Sequence, residues 1–157
     1  MKKRHSILAL ASVLTVSPSL STEVQVSGLQ DYNWGTVESS TNLPSIDKSV
    51  CVYLNQGGTY TISLRTTSGG LLNTDGPSDI RADYTATFFG AFGSAAALIF
   101  NTVDGISAQK PDFAGSEQVN CTDGLTGTLR IDPGIVSHSS TGDGFFTDTL
   151  IIEVSPD

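Results

Sequence analysis

Short apolar runs, broken by clusters of Gly, Ser, Thr, Asn and Asp, set the pattern of this chain. The clearest run is Thr59–Arg65. Tyr60, Ile62 and Leu64 fall on one side of it, and Thr61, Ser63 and Arg65 on the other. Alternation of that kind marks a half-buried β-strand. VQV (Val24–Val26) alternates in the same way, and VCVYL (Val50–Leu54) is a dense apolar run. DYTATFF (Asp83–Phe89), LIFN (Leu98–Asn101) and GTLRID (Gly127–Asp132) follow the same style. Only GSAAAL (Gly93–Leu98) favours a helix; it is short, flanked by Gly, and runs into Leu98-Ile99-Phe100, so it reads as strand. About seven short strands with turn signals between them predict an all-β sandwich. Residues 69–118 carry the weakest pattern, with the Gly-rich pieces GPSD, FFGAFGS and FAGSE.

The most strand-like run comes last, in GDGFFTDTLIIEVSPD. Gly142 and Gly144 supply a turn. Phe146, Leu150, Ile152 and Val154 share one face, which Asp148 interrupts; Phe145, Thr147, Thr149, Ile151 and Glu153 share the other. Pro156 lacks an N–H and is expected to end the pairing. A long apolar strand at a sheet edge is an aggregation hazard unless something covers it.

The first residues bear on compartment. Lys2, Lys3 and Arg4 precede an apolar stretch, Ile7–Val16, and then a small-residue segment with Ser19 and Ser21 at the spacing of a signal-peptidase site. These parts predict a secretory signal over residues 1–21 and a single mature domain over 22–157. The apolar stretch is well short of the roughly 20 residues of a transmembrane helix. Of the eight Lys and Arg, three lie in the leader. Five then stand against sixteen Asp and Glu, a mature net charge of −11. That balance argues against nucleic acid and offers no basic patch for anionic lipid. An even cysteine count in an exported chain favours a bridge between Cys51 and Cys121. Metal binding is the weaker alternative, because the CxxC spacing is missing and His138 is the sole mature histidine.

Three stretches carry a family resemblance: VSGLQDYNWGTV near the start, SVCVYLNQGGTYTISL, and CTDGLTGTLRIDPG…STGDGFFTDTLIIEVSPD. Together they resemble the spore coat protein U family, a secreted domain shared with pilin subunits of archaic chaperone–usher pili. Phe146 departs from the Tyr usual at its position but keeps an aromatic ring. The resemblance implies an incomplete immunoglobulin-like sandwich that lacks its seventh strand. A periplasmic chaperone lends that strand, an outer-membrane usher receives the subunit, and a neighbouring subunit's arm replaces the loan in a surface fibre. On this reading the protein is a secreted structural subunit at the cell surface, active in adhesion rather than catalysis. Phe146, Leu150, Ile152 and Val154 would line the open groove, and Cys51–Cys121 would hold the open sandwich. A donor arm would have to come from TEVQVSGLQ, with Val24, Val26 and Leu29 as its apolar residues. The same residues also suit a first domain strand, in which case the subunit accepts a strand without giving one.

Other chemistry has weaker warrant. His138 lies near Ser137, Ser139 and Asp143, but residues adjacent on one polar loop rarely form a triad, and no G-x-S-x-G elbow is present. Asn73–Asp79 has oxygen ligands suited to calcium but lacks the later bidentate glutamate of an EF-hand, and its residues also suit a plain turn. Asn120-Cys121-Thr122 is formally a glycosylation sequon whose cysteine is wanted for the bridge. Tyr32 and Trp34 could stack on a sugar, though such a pair is more often a core anchor. No catalytic residue, metal or cofactor is therefore assigned. The competing functional class is a self-sufficient secreted β-sandwich that binds a ligand such as a glycan.

Overall fold

The computed structural model describes residues 22–33, 43–73, 81–91, 97–105, 107–124, 126–133 and 146–157. Eleven strands lie in this part of the chain: β1 (Val24–Ser27), β2 (Ile46–Leu54), β3 (Thr59–Thr66), β4 (Leu71–Asn73), β5 (Arg81–Ala82), β6 (Thr85–Phe89), β7 (Ala97–Asn101), β8 (Ser107–Ala114), β9 (Thr126–Asp132), β10 (Phe146–Thr147) and β11 (Leu150–Pro156). A single 3-10 turn, Val119–Cys121, is the one helical element among the described residues. No helix there is long and apolar enough to cross a membrane.

Two antiparallel sheets face each other. The larger runs β1-β2-β9-β6-β7 and the smaller β11-β3-β8; a third, short sheet has the order β10-β4-β5. Alternation along the strands builds the core between the large sheets. Val50, Val52 and Leu54 of β2, with Ala86 and Phe88 of β6, meet Tyr60, Ile62 and Leu64 of β3. Phe113 of β8 stacks on Tyr60, with ring centres 5.7 Å apart, and takes the edge of Phe88 at 5.1 Å. This aromatic group joins the two sheets, in geometries that add to simple area burial. Gly127 leaves room for it, because a Cβ there would stand 2.5 Å from Cζ of Phe88.

The cysteines form the expected disulfide. Cys51 of β2 and Cys121 of the 3-10 turn are bonded, with Cα atoms 5.6 Å apart. Ser116, fully buried, holds the same corner: its hydroxyl donates to Asp123 and accepts from the Gln118 N–H. Closing a loop of 70 residues restricts the unfolded chain by about 4 kcal/mol on the chain-entropy model.

Two expectations need correction. The terminal run is not one strand: it breaks at Asp148–Thr149, and Phe146 lies on β10 against Asn73 of β4, in a different sheet from Leu150–Val154. Pro156 does not end the pairing, since it still lies opposite Tyr60. Its ring nitrogen faces away from β3, where no ladder bond is lost. The weakly patterned segment 69–118 contains β8, a strand whose lysine and proline obscure its alternation.

Candidate functional site

Each large sheet has two edges, and the described part of the chain treats them differently. On one flank lie β7 and β8. The β8 edge is defended. Lys110, Pro111 and Asp112 occupy its middle, the register slips opposite Tyr60–Ile62, and Asp112 takes a positive φ of 66°. Charge, proline and a bulge are the usual devices against unwanted strand pairing.

The other flank carries β1 and β11; between Leu150 and Val154 β11 has neither proline nor bulge, and its one charge there, Glu153, is paired with Arg65 of β3. Among the described residues it pairs only with β3. The ladder fixes which backbone groups are free. The carbonyl of Thr149 accepts from the Thr67 N–H at 3.1 Å, and the Asp157 N–H donates to Thr59 at 3.1 Å. Groups facing one neighbour alternate along an antiparallel strand. Odd-numbered residues of β11 therefore turn their backbone to β3, and Leu150, Ile152 and Val154 turn theirs outward. The same logic applies to β1. The Glu23 carbonyl accepts from the Asn55 N–H at 3.2 Å on the β2 side, so Val24 and Val26 present their backbone groups to the open flank.

The side chains agree with that geometry. Leu150, Ile152 and Val154 on one wall, and Val24 and Val26 on the other, pack on the core yet stay only partly buried. The flank is thus an apolar seam between two backbone edges that have no second strand partner among the described residues. Cα atoms of β1 and β11 approach within 8 Å, closer than the roughly 10 Å between packed sheets.

Asp148 fixes the head of β11. Its carboxylate accepts hydrogen bonds from the hydroxyls of Thr66, Tyr84 (2.9 Å) and Thr67 (3.2 Å), and from the N–H groups of Ser68 (3.2 Å) and Thr149 (2.7 Å). Five donors therefore converge on one side chain where the chain passes from β10 to β11. Burial, more than the adjacent carboxylate, holds the Tyr84 phenol neutral well above the ordinary tyrosine range. At the tail of β11 the Asp157 carboxylate accepts from the Thr61 hydroxyl at 2.6 Å and the Asp112 N–H at 3.2 Å, and the Thr61 bond lowers its pKa. Both ends of the exposed strand are thereby anchored to β3 and its flanking segments.

Of the sequence-derived candidates, Leu150, Ile152, Val154, Val24 and Val26 come together on this flank. Phe146 stands apart on β10. Val24 and Val26 belong to β1 and pair with Leu54 and Val52. Leu29 lies beyond β1 and is 52% exposed. Tyr32 is a packing residue: it lies on the core and its hydroxyl donates to the Leu129 carbonyl at 2.7 Å. Burial first, and the charge of Asp47 second, raise its pKa to about 12. Trp34, most of the Asn73–Asp79 stretch, His138 with its neighbours, Phe145 and the leader 1–21 fall outside the described residues. No group of three or more His, Cys, Asp or Glu residues is placed to hold a metal among the described residues. Sequence reasoning did not find the Asp148 hub; the carboxylate inside an apolar face was its signal. Comparison with protein-family models, with curated proteins and with solved structures finds no match to this chain.

Proposed function

We propose that this chain is an exported structural subunit of a surface fibre, whose sandwich is completed by a strand from another protein. A periplasmic chaperone lends that strand first, the outer-membrane usher receives the complex, and a neighbouring subunit supplies the permanent replacement. The observation that carries this reading is the pair of apolar edges at β1 and β11, without a second strand partner among the described residues, in a molecule whose β8 edge is defended. Strand addition of this kind gives affinity through main-chain hydrogen bonds and register through alternate side chains. The strand order also supports an immunoglobulin-like arrangement short of one strand. β1-β2-β9-β6 forms one sheet, β11-β3 begins the other, and among the described residues no strand pairs with the outer side of β11.

Val24 and Val26 are engaged with β2, which favours an acceptor over a donor for this part of the chain. A fibre tip or accessory position suits such a subunit. The leader, the bridge and the acidic surface are consistent with an exported, soluble domain.

The test is expression in the periplasm with and without a chaperone from the same gene neighbourhood. The proposal expects degradation or aggregation alone and a one-to-one complex with the chaperone. A stable, cooperatively melting monomer without any partner would instead favour the self-sufficient binding module. Removing residues 22–30 addresses the donor question: unchanged fibre length would exclude donation by that segment.

A further inference from the structure

β3 pairs with β8 on one side and with β11 on the other. Along β8 the ladder passes from Phe113 opposite Tyr60 to Lys110 opposite Ile62, so Pro111 and Asp112 together stand against Thr61. This bulge decides which way the preceding side chains of β8 face. With it, Lys110 and Ala108 lie opposite Ile62 and Leu64, on the core-facing side, and Ala108 packs on the core. Without it, Pro111 would stand opposite Ile62 and Gln109 opposite Leu64. Every side chain from Ser107 to Lys110 would then change face.

The bulge is strained. Asp112 has a φ of 66°, a left-handed conformation that glycine usually fills at a bulge. Pro111 has no N–H, so the amide that the bulge takes out of the ladder is that of Asp112. It donates to Oδ2 of Asp157 at 3.2 Å, while Oδ1 of the same carboxylate accepts from the Thr61 hydroxyl at 2.6 Å. The Asp157 N–H is itself seated on the Thr59 carbonyl at 3.1 Å. Asp157 thus reaches from the tail of β11 across β3 to β8.

We infer that Asp157 is a latch: docking of β11 on β3 carries its carboxylate to the bulge and locks the register of the opposite edge. The two edges of this sheet therefore close together. β8 precedes β11 in the chain, and until β11 is seated it must hold a left-handed aspartate and an unmatched amide unaided. Its defended form, with Lys110 turned inward and Pro111 on the edge, is completed by a strand two places away. Whatever lifts the tail of β11 from Thr59 also loosens β8. The latch acts whether or not a further strand joins β11.

Amide exchange tests the latch. The Gly115 N–H donates to the Gly58 carbonyl at 3.0 Å, so even-numbered residues of β3 turn their backbone to β8, and Lys110 and Ala108 donate to Ile62 and Leu64. In Asp157→Ala the protection of the Asp112, Lys110 and Ala108 amides should fall together, by about tenfold, as one hydrogen bond is lost and the strain is left unopposed. Asp157→Asn keeps one acceptor oxygen and should show a smaller fall. Glycine adopts a φ of 66° without strain. In the Asp157→Ala, Asp112→Gly double variant, Lys110 and Ala108 should therefore recover, while the amide of residue 112 stays fast. Parent and variants are compared in one state, free or strand-bound. Unchanged protection of Asp112 and Lys110 in Asp157→Ala would overturn the latch. So would a fall shared equally by β2 and β9 and not relieved by the glycine, which would make Asp157 a general stabiliser.

Discussion

Replacing Asp148 with Ala should weaken the fold far more than its half-exposed position suggests. The carboxylate is the common acceptor for Thr66, Tyr84, Thr67, Ser68 and Thr149. Two of these donors have little recourse to water, because Thr66 is 5% and Tyr84 4% exposed. A buried donor left without its acceptor costs about 1–3 kcal/mol. Thr67, Ser68 and Thr149 lie nearer solvent and find water instead. Two stranded hydroxyls, relieved in part by water entering the vacated space, give a loss of about 3 kcal/mol. With a urea dependence of about 2 kcal/mol per molar, the unfolding midpoint falls by about 1.5 M. Asp148→Asn keeps one oxygen acceptor and should lose about half as much. The assay is urea unfolding followed by circular dichroism, with variant and parent compared in the same state, free or strand-bound. A double-mutant cycle with Tyr84→Phe isolates the pair, for which coupling of about 1 kcal/mol is expected. An Asp148→Ala loss below 0.5 kcal/mol, or zero coupling to Tyr84, would refute the hub.

Gly127→Ala forces a Cβ to within 2.5 Å of the Phe88 ring and should cost about 1–3 kcal/mol, read as a lowered melting temperature. Replacing Cys51 and Cys121 together with Ala should lower stability by about 4 kcal/mol, and adding a reductant to the parent should reproduce much of that loss. Alkaline pH should also destabilise the fold. The unfolded Tyr32 phenol titrates near 10 and the folded one near 12, so the unfolded state sheds its proton first. Stability that is fully present below pH 10 is then lost as pH rises toward 12. Tyr32→Phe should flatten part of that decline in urea midpoints taken from pH 9 to 11.

How legible this architecture is in the sequence depends on whether local pattern or long-range pairing decides each element. β3 is fully announced by Tyr60, Ile62 and Leu64, which alternate without interruption. β7 is visible from the β-branched and aromatic run Leu98-Ile99-Phe100, while residues 93–96 of the stretch read as strand lie outside the described residues. β8 is hidden because the features that blunt its edge, Lys110 and Pro111, are those that argue against a strand. The break between β10 and β11 is hidden for a related reason. Asp148 has the parity of a core residue and interrupts the apolar face, but four of its five donors come from segments distant in the sequence. Alternation correctly put Leu150, Ile152 and Val154 on one face. It wrongly added Phe146, because period-two counting runs straight through a bend. Which strand neighbours β11, and which edge stays open, cannot be counted from alternation at all. Those facts depend on β3 pairing with both β8 and β11.

Amide hydrogen exchange along β11 tests the central claim most directly. In the free chain the N–H groups of Leu150, Ile152 and Val154 should exchange rapidly, while those of Ile151, Glu153 and Ser155 are protected by β3. On addition of a filling strand, the three fast amides should become protected together. Uniform protection of all six in the free chain would mean that the edge is already paired, and would contradict the account.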